Sequence, residues 1–141
     1  MFKRILTPID LAEVELAEPA IAQAVELAEA SGGVVRLINV QPLLPATFMD
    51  YVPADFDAAQ EERAAKALDE IAAGVKLPAE RLSHVVKVGG AYHEILTEAV
   101  SWAADLIVMG SHRPAMSDYL LGSNAKTIVR HATCSVLIVR P

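Results

Sequence analysis

The chain has 141 residues, of which 53% are hydrophobic, and a net charge of −6. Such an acidic chain is a poor ligand for nucleic acid, and no apolar run approaches the ~20 residues that a membrane span needs. The single cysteine, Cys134, excludes an intrachain disulfide. The length predicts one domain, residues 1–141. Because the opening MFKRILTPID has no signal-peptide core, we expect a cytoplasmic protein.

The first half of the chain reads as strand, helix, strand. Lys3–Ile9 is apolar enough for a buried strand, and Leu16–Ala30 has the spacing of a helix with a narrow alanine-rich face. Pro19 is expected in the first turn of that helix, where its missing N–H costs little. Val34–Val40 is then the second strand, which Pro42 ends.

The middle of the chain begins with a long proline-containing segment, Gln41–Phe56, of the kind that forms a lid or binding loop. Asp57–Gly74 follows as a second helix. Leu82–Val88 alternates in part between apolar and polar residues, which predicts a less buried strand at a sheet edge. Tyr92–Ala103 is predicted as a third helix.

The last third returns to strand, helix, strand. Leu106–Met109 and Ser135–Val139 are uninterrupted apolar runs, typical of strands buried in parallel sheets. Cys134 is expected to begin the final strand as a buried, inert thiol. The alternation of strands and helices predicts one doubly wound α/β sheet with helices on both faces.

A loop and a helix start between these two strands form the candidate site. Gly110 can adopt a positive φ and let a ligand approach the backbone, while Ser123 suits an N-cap. Free N–H groups at a helix start favour an anion, and His112, Arg113 and Lys126 add donors or charge. From these residues alone, a phosphate site and an ordinary capped helix are about equally supported.

The first strand adds a carboxylate to the same edge of the sheet. Asp10 follows its carboxyl end, where open α/β sheets bind ligands, although aspartate also begins many turns. In the strand order 3-2-1-4-5, Asp10 would lie beside Gly110 at the point where strand order reverses. Residues 104–141 hold four cations and two carboxylates, a balance of +2 that suits a small anion.

Several stretches together resemble the universal stress protein family, in particular its F/G-type branch. They are KRILTPID at the start, then SHRP, YLLGSNA and VRHATCSVLIVRP. Nucleotide-binding members carry Gly, two residues, Gly, nine residues, then Gly-Ser or Gly-Thr. Here Gly110 matches the first glycine and Gly122-Ser123 the final pair. Arg113 replaces the second glycine, and the spacing is one residue shorter, a variant found in the F/G-type branch.

The resemblance implies an ATP-binding protein that uses ATP, ADP or AMP, with Mg²⁺ as a companion ion, and that regulates a stress response or signal. It also implies a homodimer in which Ser135–Val139 pairs with its copy, and a backbone adenine contact at Val40. The expected site combines nucleoside contacts from the first two strands with phosphate contacts around the fourth strand and the helix that follows. Its residues are Pro8, Ile9, Asp10, Asn39, Val40, Met109, Gly110, His112, Arg113, Gly122, Ser123 and Asn124.

Two other functions stay open at the level of sequence. One is a weak ATP-hydrolysing or self-phosphorylating enzyme, for which His112 is the only nearby histidine that could serve as base. The other is a dimeric scaffold that binds no nucleotide, which the altered glycine spacing favours. The pair His93-Glu94 resembles half of a zinc motif, but Thr97 stands where the second histidine would be, so no metal is expected.

Overall fold

The computed structural model describes residues 2–44, 51, 53–111 and 123–140. Five strands and four helices alternate along these residues. The strands are β1 (Arg4–Pro8), β2 (Val34–Gln41), β3 (Leu82–Val88), β4 (Leu106–Gly110) and β5 (Ser135–Val139). The helices are α1 (Val14–Ser31), α2 (Phe56–Ala73), α3 (Ala91–Ser101) and α4 (Ser123–His131).

The five strands form one parallel sheet in the order β3-β2-β1-β4-β5. This confirms the predicted doubly wound sheet and its strand order. The apolar runs of β1 and β4 are central because both of their faces are covered, and Ile5–Thr7 and Leu106–Met109 are buried. The equally apolar β5 lies at the other edge of the sheet, where its residues are exposed or half-buried. β3, whose residues are all half-buried, lies at one edge as its alternating pattern predicts.

Two hydrophobic layers cover the faces of the sheet. On one face, α1 and α2 pack their alanine and leucine side chains against residues such as Ile5 and Leu37. On the other, α3 and α4 pack Ile95 and Ile128 against Leu6 and related residues. Alternate residues of β1 enter opposite layers, as the two-residue period of a strand requires.

The first helix differs from the prediction in one respect. It begins at Val14 rather than at Leu16, so Pro19 lies inside the helix and not in its first turn. One turn of 3-10 helix, Leu11–Glu13, precedes it. α1 ends at Ser31, one residue after its predicted end. Gly32 caps it, since this residue adopts a left-handed φ of 72° and its N–H donates to the Ala28 carbonyl.

Two further predictions concern residues near the last elements. Cys134 lies just before β5, not within it, and is half-buried rather than buried. Trp102 is partly buried and packs against the second hydrophobic layer, immediately after α3. Two arginines stack on its ring, with the Arg4 and Arg36 guanidinium carbons 4.4 and 4.8 Å from the ring centroid. Among the described helices, none is both long and apolar enough to cross a membrane.

Candidate functional site

A crevice opens where the central strands separate. β1 and β4 are paired only as far as Leu6 and Ile107, although both strands continue for two or more residues. On the other side, β1 and β2 are paired until Pro8 meets Ile38, and β2 then continues beside β3 to Gln41. The reversal of strand order between β1 and β4 therefore leaves a gap at the carboxyl edge, the usual ligand position in open α/β sheets.

A cavity of about 460 Å³ occupies this gap. Its volume lies within the ~300–1,000 Å³ range of small-molecule sites. The ends of β1, β2 and β4 form its floor, and the first residues of α1, α3 and α4 form its walls. Eight of the predicted site residues line it: Pro8, Ile9, Asp10, Asn39, Val40, Met109, Gly110 and Asn124.

The structure describes the other four predicted residues only in part or not at all. His112, Arg113 and Gly122 lie outside the described residues. Ser123 is the first residue of α4, one position later than the N-cap role expected for it, and its side chain is not described. The first turn of α4 contains no acidic residue, so no charge within that turn opposes an anion there.

Asp10 combines the two roles that the sequence left open. Its Oδ1 accepts a hydrogen bond from the Ala12 N–H at 2.9 Å, which caps the turn before α1. The same exposed side chain also lines the cavity. The adjacent Ile9 N–H donates to the Ile38 carbonyl at 2.8 Å and holds the backbone at this point. Together with the turn, this hydrogen bond fixes the carboxylate at the mouth of the crevice.

Asn39 is the buried polar side chain of the cavity, only 4% exposed. Its Nδ2 donates to the Ile9 carbonyl at 2.9 Å, and its Oδ1 accepts from Nε2 of Gln41. Gln41 Oε1 in turn accepts from Gln60 Nε2 at 2.8 Å. This chain of hydrogen bonds connects the cavity floor to α2 and fixes the orientation of the Asn39 amide.

The backbone of Val40 faces the crevice. The Ile38 carbonyl accepts from Ile9 on the β1 side, whereas the Gln41 carbonyl accepts from Gly89 on the β3 side. Backbone groups of successive strand residues alternate between the two sides. The N–H and C=O of Val40 therefore point to the side that β1 has already left, where a planar ligand can form hydrogen bonds with both.

Gly110 does not adopt the positive φ that was predicted for it. Among the described glycines, positive φ angles occur at Gly32 and Gly89, not at Gly110. Instead, a Cβ atom on Gly110 would lie 2.9 Å from the Leu16 carbonyl oxygen. The missing side chain allows α1 to approach the end of β4, and thereby shapes one wall of the cavity.

Carboxylates are the charged groups on the described part of the cavity wall. Asp10 and Glu13 both belong to the segment that leads into α1. These groups suit hydroxyl or amino groups of a ligand rather than its phosphates. The α4 end of the cavity, at Asn124 and Ala125, instead presents the N-terminal end of a helix dipole.

Part of the cavity wall was missed in the sequence. Leu16 and Ala17 enter from α1, Glu13 from the 3-10 turn before it, and Ala91 and Ile95 from α3. A signal for the α3 residues exists, because that helix starts directly after the carboxyl end of β3 and must begin at the same edge.

Within the described residues, no group of three or more histidine, cysteine or acidic side chains is placed to hold a metal ion.

Comparison with known proteins identifies the family. The family model described as "Universal stress protein family" matches residues 1–140. Universal stress protein G of Shigella flexneri is 33% identical over 99% of this chain and 100% of its own length. Among solved structures, universal stress protein UspA from Lactobacillus plantarum superposes with a TM-score of 0.75 at 23% identity, covering 99% and 98% of the two chains.

A second solved structure bears on the cavity. It is a universal stress protein described as being in complex with cAMP, with a TM-score of 0.64 and 20% identity over 98% of this chain and 97% of that one. At this level of identity the superposition establishes the shared fold. Since the family model and the Shigella flexneri relative both extend over nearly the whole sequence, the chain belongs to the universal stress protein family.

Proposed function

We propose that this protein binds an adenine nucleotide (ATP, or its products ADP and AMP) in the crevice between β1 and β4, and acts as a nucleotide-dependent module in a stress response. The observation that supports this most is the convergence of eight predicted residues, from three strands and one helix, on one cavity of suitable size. The related protein in complex with cAMP adds support for an adenine ligand.

The charges of the cavity suggest how the nucleotide lies. The adenosine part would occupy the end near Asp10 and Val40, where a carboxylate can accept from ribose hydroxyls and a free backbone edge can pair with adenine. Phosphates would be repelled by Asp10 and Glu13, and so would lie towards Gly110 and the start of α4.

The phosphate contacts are assigned to the remaining predicted residues. His112, Arg113, Gly122, Ser123 and Asn124 are proposed as donors to the phosphate oxygens, with Arg113 adding a charge-assisted contact. Mg²⁺ keeps several waters and is usually held through substrate phosphates. We therefore propose Mg²⁺ as a companion of the ATP phosphates rather than a resident ion of the protein.

A charge added at the start of α4 tests the phosphate assignment. Ser123→Asp places a carboxylate beside the proposed phosphates, and isothermal calorimetry should show an ATP affinity at least about tenfold lower than that of the wild type. Adenosine affinity should change little, because its binding end is distant. Ala58→Asp adds the same charge to the exposed first turn of α2, away from the cavity, and is the matched control.

The outcome of this experiment is clear in either direction. Equal ATP affinities for wild type and Ser123→Asp would contradict the phosphate assignment, while a wild type that binds neither ATP nor adenosine would contradict the proposed function itself. Mass spectrometry of small molecules released from the purified protein provides an independent check, since an adenine nucleotide is expected among them.

The quaternary state is proposed on separate grounds. β5 is an edge strand of the sheet, and its Leu137 is 36% exposed. An apolar edge left open favours pairing with another strand. We propose a cytoplasmic homodimer in which two copies of β5 pair, and expect Leu137→Lys to shift sedimentation equilibrium towards the monomer.

A further inference from the structure

A second concave surface lies between α1 and α2, on the same face of the sheet but away from the nucleotide crevice. It encloses about 640 Å³, and we refer to it as the α1–α2 groove. Its floor is apolar: Ile21 and Val25 come from α1, and Ile71 and Val75 from α2 and the residues after it. Val25, Ile71 and Val75 are only partly buried, so a ligand can still cover them.

The rim of the groove is acidic. Glu18, Glu26 and Glu29 of α1 and Glu70 of α2 surround the floor, and Lys76 is the cation that lines it. Four carboxylates against one ammonium group give the groove a balance of −3. None of the four glutamates forms an ion pair with another residue of the described part of the chain.

Two of these glutamates occupy positions that are unfavourable for the isolated fold. Glu29 lies in the last turn of α1 and Glu70 in the last turn of α2, where the helix dipole is negative. Neither last turn contains a basic residue. Carboxylates at such positions weaken the helices slightly, so their arrangement around an apolar floor gives no benefit to folding. It does match a ligand with an apolar stripe bordered by cations.

From these features, we propose that the α1–α2 groove binds a basic amphipathic helix of a partner protein. Apolar side chains at helical spacing would cover Val25, Ile71 and Val75, and flanking lysines or arginines would pair with the glutamates. Helix-in-groove recognition of this type uses an apolar face for affinity and charges for orientation.

The charge of the groove argues against other occupants. Anionic lipid surfaces and nucleic acids would be repelled by the glutamates. A second copy of this chain has the same net charge of −6. Helix α1 contributes three glutamates and no basic residue to the rim, so two such grooves would repel each other.

A designed peptide serves as the probe. It has about 18 residues, with leucine at helical spacing on one face and lysine on the other. The control peptide has the same composition, but its residues are ordered so that a helix has no apolar face. Fluorescence anisotropy of the labelled peptides with the full-length protein should show at least about tenfold tighter binding of the amphipathic one, because only it can use the apolar floor as well as the charges.

Two double variants with the same net charge locate the binding surface. Glu26→Lys with Glu70→Lys reverses the groove rim, and Glu15→Lys with Glu62→Lys reverses two exposed glutamates of the same helices that do not line it. The groove variant should lose at least about tenfold in affinity and the control less than about threefold. Thermal unfolding of the groove variant should be unchanged or higher, since the substitution at position 70 places a cation in the last turn of α2.

Three results would overturn the proposal. Equal losses in the two variants would show that net charge alone attracts the peptide, and equal binding of the two peptides would show that the floor is not used. A change in oligomeric state of the groove variant in sedimentation would identify a second copy of the chain as the occupant. Because the nucleotide crevice is not altered in either variant, these results are independent of the proposed function.

Discussion

Gly110 and Leu16 meet backbone to backbone: a Cβ atom on Gly110 would lie 2.9 Å from the Leu16 carbonyl oxygen. This contact joins the carboxyl end of β4 to the beginning of α1, and both of these segments line the crevice that is proposed to bind the nucleotide. The position therefore demands glycine for reasons of packing, and any side chain there would push α1 away from the sheet.

Replacing Gly110 with alanine tests this close approach. We expect Gly110→Ala to lower the free energy of unfolding by about 1–3 kcal/mol, as overpacking of a fixed backbone does, and to weaken adenine nucleotide binding because one wall of the crevice moves. Urea denaturation and calorimetry measure the two effects.

Gly74→Ala is the matched control for this substitution. Its Cβ would lie 3.6 Å from the nearest atom, an ordinary contact, and its φ is −88°. That change should leave stability unchanged or raise it by up to about 1 kcal/mol. Equal stability of Gly110→Ala and wild type would show that α1 can move at little cost.

Thr7 supplies a second test of the buried sheet. It is fully buried in β1, and among the described residues its hydroxyl is the buried side-chain group that lacks a hydrogen-bond partner. Thr7→Val removes the unpaired hydroxyl and keeps the shape, so the free energy of unfolding should rise by about 1 kcal/mol. Thr7→Ser keeps the hydroxyl and removes the methyl group, and should be destabilising by a similar amount. A loss of stability in Thr7→Val would imply that the hydroxyl has a partner.

The sequence predicted most of the fold because its strongest signals are the ones that tertiary packing preserves. Leu82–Val88 and Ser135–Val139 were predicted with the bounds that the structure has. The ends of the other strands and helices with predicted bounds differ from the prediction by at most two residues; these are β1, α1, β2, α2, α3 and β4. The predicted start of α1 lies two residues too far along the chain, because proline is favoured in the first turn of a helix and Pro19 would lie there. In the structure, the helix continues through that residue.

The candidate site was less predictable, for physical reasons. Asp10 is predicted because parallel strands end at one edge, a property of topology that local sequence can reveal, whereas Asn124 is implied by the family resemblance. The contributions of Leu16 and Ala17 depend on how closely α1 approaches β4. That distance is set by the glycine at position 110, whose predicted role was backbone flexibility. Close packing between elements distant in sequence has no local signature.

A buried ion pair on the opposite face of the sheet provides another prediction. Arg36 Nη1 donates to Glu98 Oε2 at 2.7 Å, while Lys87 Nζ lies 3.6 Å from the other carboxylate oxygen. Glu98 is only 5% exposed, so removing its charge leaves the partly exposed Arg36 and Lys87 without the carboxylate that they share.

Glu98→Gln should therefore lower the free energy of unfolding by about 2 kcal/mol, less than a fully buried pair would cost because the Arg36 and Lys87 side chains retain contact with water. Urea unfolding measures the change. Glu61→Gln removes an exposed carboxylate of α2 and should change stability by less than about 0.5 kcal/mol. A matching small effect in Glu98→Gln would indicate that water replaces the lost partner.

Cys134 offers a test in which pH is the variable. Partial burial raises the pKa of its thiol above the ordinary value; the backbone N–H of the same residue acts in the opposite direction, and the nearby Asp105 charge raises the pKa further. Since the thiolate is the nucleophile, iodoacetamide should modify the folded protein more slowly than the protein in urea, with a midpoint at higher pH. As the only cysteine in the chain, Cys134 gives an unambiguous signal, and Cys134→Ser is the blank.

The same shift in pKa determines how stability depends on pH. A thiol whose pKa is higher in the folded than in the unfolded state stabilises the fold fully below the unfolded pKa, and that contribution is lost as the pH rises through the folded pKa. The wild type should therefore lose more stability than Cys134→Ser as the pH rises through about 8.5, where half of the unfolded cysteine is ionised. Identical pH profiles for the two proteins, together with rapid alkylation at neutral pH, would show that the thiol is as accessible and acidic as in the unfolded chain.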